Sequence, residues 1–152
     1  MPNLSQYYRL EPAESPEDWA AYHAIRRDTL FARLLPRHPY DKNDPDEFLS
    51  GRTSCVLRYR DAVIGVVRID EIDPERVGLR MIAVRDDLQR GGHGRAMLAL
   101  AEQQARAEGR SEVIINAHLT AVGFYLKLGY APGEWADPAP VPPGTIRVGK
   151  VL

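Results

Sequence analysis

Gln89-Arg90-Gly91-Gly92-His93-Gly94-Arg95-Ala96 lies between an apolar run, Leu79–Val84, and an amphipathic run that ends near Gly109. Glycines at 91, 92 and 94 leave the backbone N–H groups with no side chains over them. At a helix start those N–H groups lack intrahelical acceptors and carry the positive end of the helix dipole, so they favour an anion. Arg90 and Arg95 bring mobile positive charge to the same place. The stretch reads as a phosphate cradle between a strand and a helix.

Outward from the cradle, Val77–Val84 is expected as a strand and the run after the glycines as a helix. Gly94, Met97, Leu98, Ala101 and Ala105 form its apolar stripe, with Arg95, Glu102, Gln103 and Arg106 opposite. Gly109 is a natural stop, and Glu112–Ala117 follows as a strand. Strand, loop, helix and strand in that order imply a parallel pair with a crossover helix. Upstream, Thr53–Arg60 and Ala62–Asp70 read as strands around a turn at Arg60-Asp61, and Glu71–Arg76 as a polar loop. Gln6–Leu10 is a short first strand. Ser15-Pro16-Glu17-Asp18 starts a helix whose apolar face is Trp19, Tyr22 and Ile25, running to about Thr29. Phe31–Leu49 breaks the pattern with prolines and holds either a short helix or part of a binding wall. Downstream, a short helix from about Thr120 to Leu128 closes at Gly129, a proline-rich piece follows, and Thr145–Leu152 is a last strand. The expected class is α/β (α+β): a mixed sheet flanked by helices.

At 152 residues the chain suggests one domain over 1–152. With 44% hydrophobic and 27% charged residues it can build a core. A net charge of −1 gives no global basic field for nucleic acid. Cys55 is the one cysteine, which rules out an internal disulfide; no Cys/His cluster has metal-ligand spacing, so no metal is expected. No window is apolar enough for a membrane span, and the N-terminus has no signal pattern, so the expectation is cytoplasmic.

Two common phosphate cradles can be tested against the letters. A nucleotide P-loop needs Lys-Ser/Thr after its last glycine, where this chain has Arg95-Ala96. The dinucleotide fingerprint needs a small residue where this chain has Met97. What fits is Gln/Arg-x-x-Gly-x-Gly/Ala, here Gln89-x-x-Gly92-x-Gly94, which resembles the pyrophosphate motif of the GCN5-related N-acetyltransferases, the GNAT superfamily. A second match follows some thirty residues on: Ala121-Val122-Gly123-Phe124-Tyr125-Leu126-Lys127-Leu128-Gly129-Tyr130 is similar to the family's Ala-x-x-Phe-Tyr-x-x-x-Gly-Phe, with Tyr130 for the usual Phe.

The resemblance implies a splayed sheet holding acetyl-CoA between its fourth and fifth strands, here Val77–Val84 and Glu112–Ala117. It implies that the pantetheine arm pairs with Ile82, Ala83 and Val84, and that the pyrophosphate sits on Gln89, Arg90, Gly91, Gly92, His93, Gly94 and Arg95. The implied reaction is direct acetyl transfer to a primary amine of a small molecule or peptide, with no acyl-enzyme. Tyr125 matches the tyrosine that protonates the departing thiolate in many members; the alternative is a tyrosine that only packs. Many relatives carry a base on the fourth strand, but this one has no acid there. Glu71, Asp70, His118 or a bound water remain for that role, and His118 equally suits a helix cap. A homodimer is a state that the resemblance allows.

The other histidines have plainer readings: His93 a solvent-facing loop residue within reach of phosphate, His23 on the first helix, His38 between prolines at the acceptor mouth. Glu134 and Asp137 are loop acids, ordinarily solvated. Two alternatives stay open, a CoA-ester sensor without turnover and a transferase of another acyl group.

Overall fold

The computed structural model describes residues 4–33 and 39–152. Among the described residues, seven strands form one sheet: β1 (Tyr8–Pro12), β2 (Arg52–Tyr59), β3 (Ala62–Asp73), β4 (Arg76–Val84), β5 (Glu112–His118), β6 (Ala131–Pro132) and β7 (Thr145–Val151). Their order is β1-β2-β3-β4-β5-β7-β6. The helices are α1 (Pro16–Ile25), α2 (His93–Ala107) and α3 (Val122–Lys127). β1 lies antiparallel to β2, and β7 antiparallel to both β5 and β6. β4 and β5 are the parallel pair, in register from Arg76↔Glu112 to Leu79↔Ile115. The paired register ends there although both strands run on, which is the splay of this mixed sheet. Among the described residues no helix is long and apolar enough to cross a membrane.

The chain divides into two compact units, Met1–Arg68 with Met81–Ala101, and Ile69–Arg80 with Glu102–Leu152. In the first, α1 starts where the sequence predicts. The Ser15 hydroxyl accepts from Asp18 N at 3.0 Å, and the Asp18 carboxylate accepts from Ser15 N, a reciprocal capping box. α1 gives way at Arg26 to a π-helical turn, Arg26–Phe31, in which the Thr29 hydroxyl donates to Ile25 O at 2.5 Å. Tyr22 and Ile25 pack with Val56, Val66 and Ala83, and Trp19 covers the cluster's edge. Burying side chains of this size stabilises by about 1.5–3 kcal/mol each. Gly65 lets β3 pack closely there: a Cβ would come within 3.2 Å of Ala83 O and of Met97 Sδ.

In the second unit Val77, Leu79, Val113, Ile114, Ile115 and Val148 are buried. β3 runs to Asp73, so most of the predicted polar loop Glu71–Arg76 is strand; its outward side chains are paired ions, Asp73 with Arg76 and Arg76 with Glu112. Glu102, expected on the polar face of α2, is buried at 6% exposure. Tyr130 donates its O–H to the Glu102 carboxylate at 2.9 Å, and Lys150 Nζ does so at the same distance. Trp135 lies flat over Gly149 of β7, where a Cβ would stand 2.2 Å from the ring.

Candidate active site

The cradle is formed by backbone. Gln89 ends a short 3-10 turn, and Arg90 and Gly92 both take left-handed conformations, with φ of 65° and 83°. The first bond into α2 runs from Ala96 N to Gly92 O at 3.1 Å, so the N–H groups of His93, Gly94 and Arg95 precede any intrahelical bond. A Cβ on Gly92 would meet nothing within 4 Å, so the glycine is there for its φ and leaves open space in front of the amides. Arg90 and Arg95 are exposed and have no ion-pair partner among the described residues. An anion would find donors and charge together here.

Two cradle side chains are committed to the fold. Gln89 Nε2 donates to Val84 O at 3.1 Å and to Asp86 at 3.3 Å, tying the loop to the end of β4. His93 is half-buried rather than solvent-facing: its Nδ1 lies 2.7 Å from the Tyr8 hydroxyl, and its ring is 5.0 Å from that of Tyr59. Both tyrosines are on strands far away in sequence, and for that reason the pattern around His93 hid the contact. Ile82, Ala83 and Val84 follow Met81, a non-glycine residue with φ of 54° inside β4. A left-handed residue in a strand costs of order 1 kcal/mol and bends the strand there. Nothing in the letters signals it.

Tyr125, on α3, is 6% exposed, with its ring edge-on to Phe124 and Tyr130. Burial pushes its phenol up, so it stays protonated through the physiological range. His118 caps the turn before α3: its Nδ1 accepts from Thr120 N at 3.2 Å and lies 2.8 Å from the Thr120 hydroxyl. Glu71 is 52% exposed and ion-paired with Arg110 at 3.3 Å, just before β5, at the other end of that strand from His118. Asp70 is buried, 3.8 Å from Arg80. Asp137 is not a solvated loop acid. Its side chain is 2% exposed, bonded to Arg80 and 3.8 Å from Arg147. Arg147 also donates to the carbonyls of Asp137 and Ala139, so the proline-rich segment is pinned. Glu134 is exposed.

The first unit holds a pocket of about 100 Å³ lined by His23, Arg26, Tyr40, Glu47, Arg68 and Met81, among others. Its floor is an ion network. Glu47 accepts from Arg26 at 2.9 Å, Arg68 at 3.2 Å, Tyr22 at 2.5 Å and Ser54 at 2.7 Å. Burial alone would raise the Glu47 carboxyl, but the Arg26 hydrogen bond and charge outweigh it and hold it at about 2. Of the Phe31–Leu49 stretch, Phe31, Pro39, Tyr40, Asp41, Lys42 and Asp44 line this pocket, and Pro45–Phe48 forms the 3-10 turn that carries Glu47. His38, expected at the acceptor mouth, is outside the described residues. Among those residues no group of three or more His, Cys, Asp or Glu could hold a metal ion.

The architecture recurs in solved acetyltransferases. An acetyltransferase from Streptococcus agalactiae 2603 superposes with a TM-score of 0.76 at 13% identity, over 97% of this chain and 99% of that one. A putative N-acetyltransferase from Lactobacillus plantarum gives 0.74 at 22% identity, over 96% and 99%. A GNAT family acetyltransferase from Elizabethkingia anophelis with acetyl-CoA bound gives 0.67 at 19%, again over 96% and 99%. Identities this low speak for the fold alone. The sequence itself goes further: residues 9–130, which include both the cradle and the Phe124-Tyr125 motif, match the model of the acetyltransferase (GNAT) family, and to that family the chain belongs.

Proposed function

We propose that this protein transfers the acetyl group of acetyl-CoA directly to a primary amine of a small molecule or peptide. The observation that carries this reading is the cradle before α2, with helix-start amides that precede any intrahelical bond, left-handed turns at Arg90 and Gly92, and two arginines with no ion-pair partner among the described residues. Acetyl-CoA is the cosubstrate; its diphosphate suits those donors, and the backbone of Ile82–Val84 suits its amide-bearing arm. When bound, it supplies the activated acyl carbon. The protein holds the acceptor against that carbon, keeps the amine unprotonated and provides a proton for the leaving sulfur. Tyr125 is the proton source in this reading, since burial keeps its phenol in the donor form. His118, with Nδ1 spent on its cap, is left as an acceptor contact through its other nitrogen. Glu71, paired with Arg110, is given a structural role.

Thiol release from acetyl-CoA across a panel of primary amines tests the reading. Turnover with at least one amine, without an acetylated protein intermediate, is the expected result. Cofactor binding with no turnover of any amine or acyl group would leave a sensor in place of an enzyme.

A further inference from the structure

The reaction needs a base for the acceptor amine, and β4 offers no carboxylate. We infer that His23 takes the proton of the amine, in the pocket that it shares with Met81 of β4, an inference that rests on the acyl-transfer reading above.

Three observations place the histidine in that role. His23 sits on α1 and lines the pocket together with Met81, which immediately precedes the Ile82–Val84 backbone assigned to the cofactor arm. Its ring is fixed: it stacks on Trp19 with centroids 5.6 Å apart and planes 30° apart, and it meets Tyr22 edge-on. One nitrogen is engaged and the other is not. Nδ1 is hydrogen-bonded to the Tyr40 hydroxyl, while Nε2 has no partner among the described residues. In the tautomer that donates Nδ1–H to the Tyr40 oxygen, Nε2 carries the lone pair that a base requires.

The surroundings favour the neutral ring. Burial lowers the His23 pKa from its usual value, and the charges of Arg26, Lys42 and Arg27 lower it further against the opposing charge of Glu47. Arg68, Asp41 and Asp44 complete the charged lining of the pocket. Arg26 is 4% exposed, and its Nε is buried with no acceptor among the described residues. Its charge is paired with Glu47 at 2.9 Å, so the one donor it leaves open toward the pocket is that N–H. The proton inventory closes. Nε2 takes one proton from the ammonium and passes it to solvent, and the nitrogen lone pair then bonds the acyl carbon. As the C–S bond breaks, the thiolate takes a proton from the donor side, and the second amine proton restores that donor.

The test compares wild type with His23→Gln, His23→Ala and Tyr40→Phe, using acetyl-CoA and the best amine from a panel of ethanolamine, putrescine, lysine and a short peptide. Wild-type kcat/KM should rise with pH through a limb below 6.5, where Nε2 loses its proton, and NMR titration of the His23 ring should give the same midpoint. His23→Gln should lose that limb and fall by about 100-fold at pH 7. His23→Ala should recover activity with added imidazole, and Tyr40→Phe should keep the limb with a shifted midpoint. The Tm rise caused by acetyl-CoA should survive in all three. A limb that persists in His23→Gln, or a ring midpoint that disagrees with it, removes His23 from the role while acyl transfer stands. No Tm rise in wild type strikes at the cofactor reading instead. A Tm rise with no amine turned over keeps the cofactor and overturns the base.

Discussion

A buried carboxylate with four donors shows how much one residue can decide. Glu47 joins Arg26, Arg68, Tyr22 and Ser54, which come from the π-helical turn after α1, from β3, from α1 and from β2. Glu47→Ala leaves two guanidinium groups facing an empty site, so unfolding in urea should show a loss of about 3–5 kcal/mol. Tyr125→Phe removes only an oxygen from a packed ring. It should keep the acetyl-CoA thermal shift and lower kcat by about 100-fold or more; unchanged kcat would take Tyr125 out of the proton-donating role. The Phe124-Tyr125 motif was legible in the sequence because it is contiguous. The partners of Glu47 and His23 were not, because they lie on other elements of the fold.

Elements were legible where local chemistry sets them. Ser15-Pro16-Glu17-Asp18 forms the capping box its letters announce, and Ser15→Ala should cost about 1 kcal/mol in a urea titration. The parallel pair and the start of α2 fall where the apolar runs and glycines put them. The failures have a common cause, since ions paired across strands look like loop in one dimension. Thus Glu71–Asp73 reads as a polar connection although it extends β3, and Glu102 reads as solvent-facing although Tyr130 and Lys150 close over it. The left-handed Met81 carries no letter-level signal at all. Gly149 is set by contact with Trp135, so Gly149→Ala should destabilise by about 1–3 kcal/mol as the ring is displaced, measured as a lower Tm.

For the molecule as a whole, acid should act through its low carboxylates. Asp18 is held at about 2 by the hydrogen bond from Arg58 and by the Glu14 amide, and Glu47 at about 2 against its burial. Both lie below their ordinary values in the folded state, so their contribution is complete above about pH 4.5 and is lost as pH falls toward 2. Urea midpoints measured from pH 7 down to pH 3 should therefore decline, more steeply in wild type than in Glu47→Gln. The central claim is that the loop before α2 binds the cofactor, and the thermal shift with acetyl-CoA tests it most directly. At about 100 times its Kd, acetyl-CoA should stabilise the wild type by about 2.7 kcal/mol, roughly 5–10 °C for a chain of this size. Gly92→Glu, which places a carboxylate in the open space before the amides, should abolish the rise. An equal rise in both proteins, or none in the wild type, contradicts the assignment of the loop.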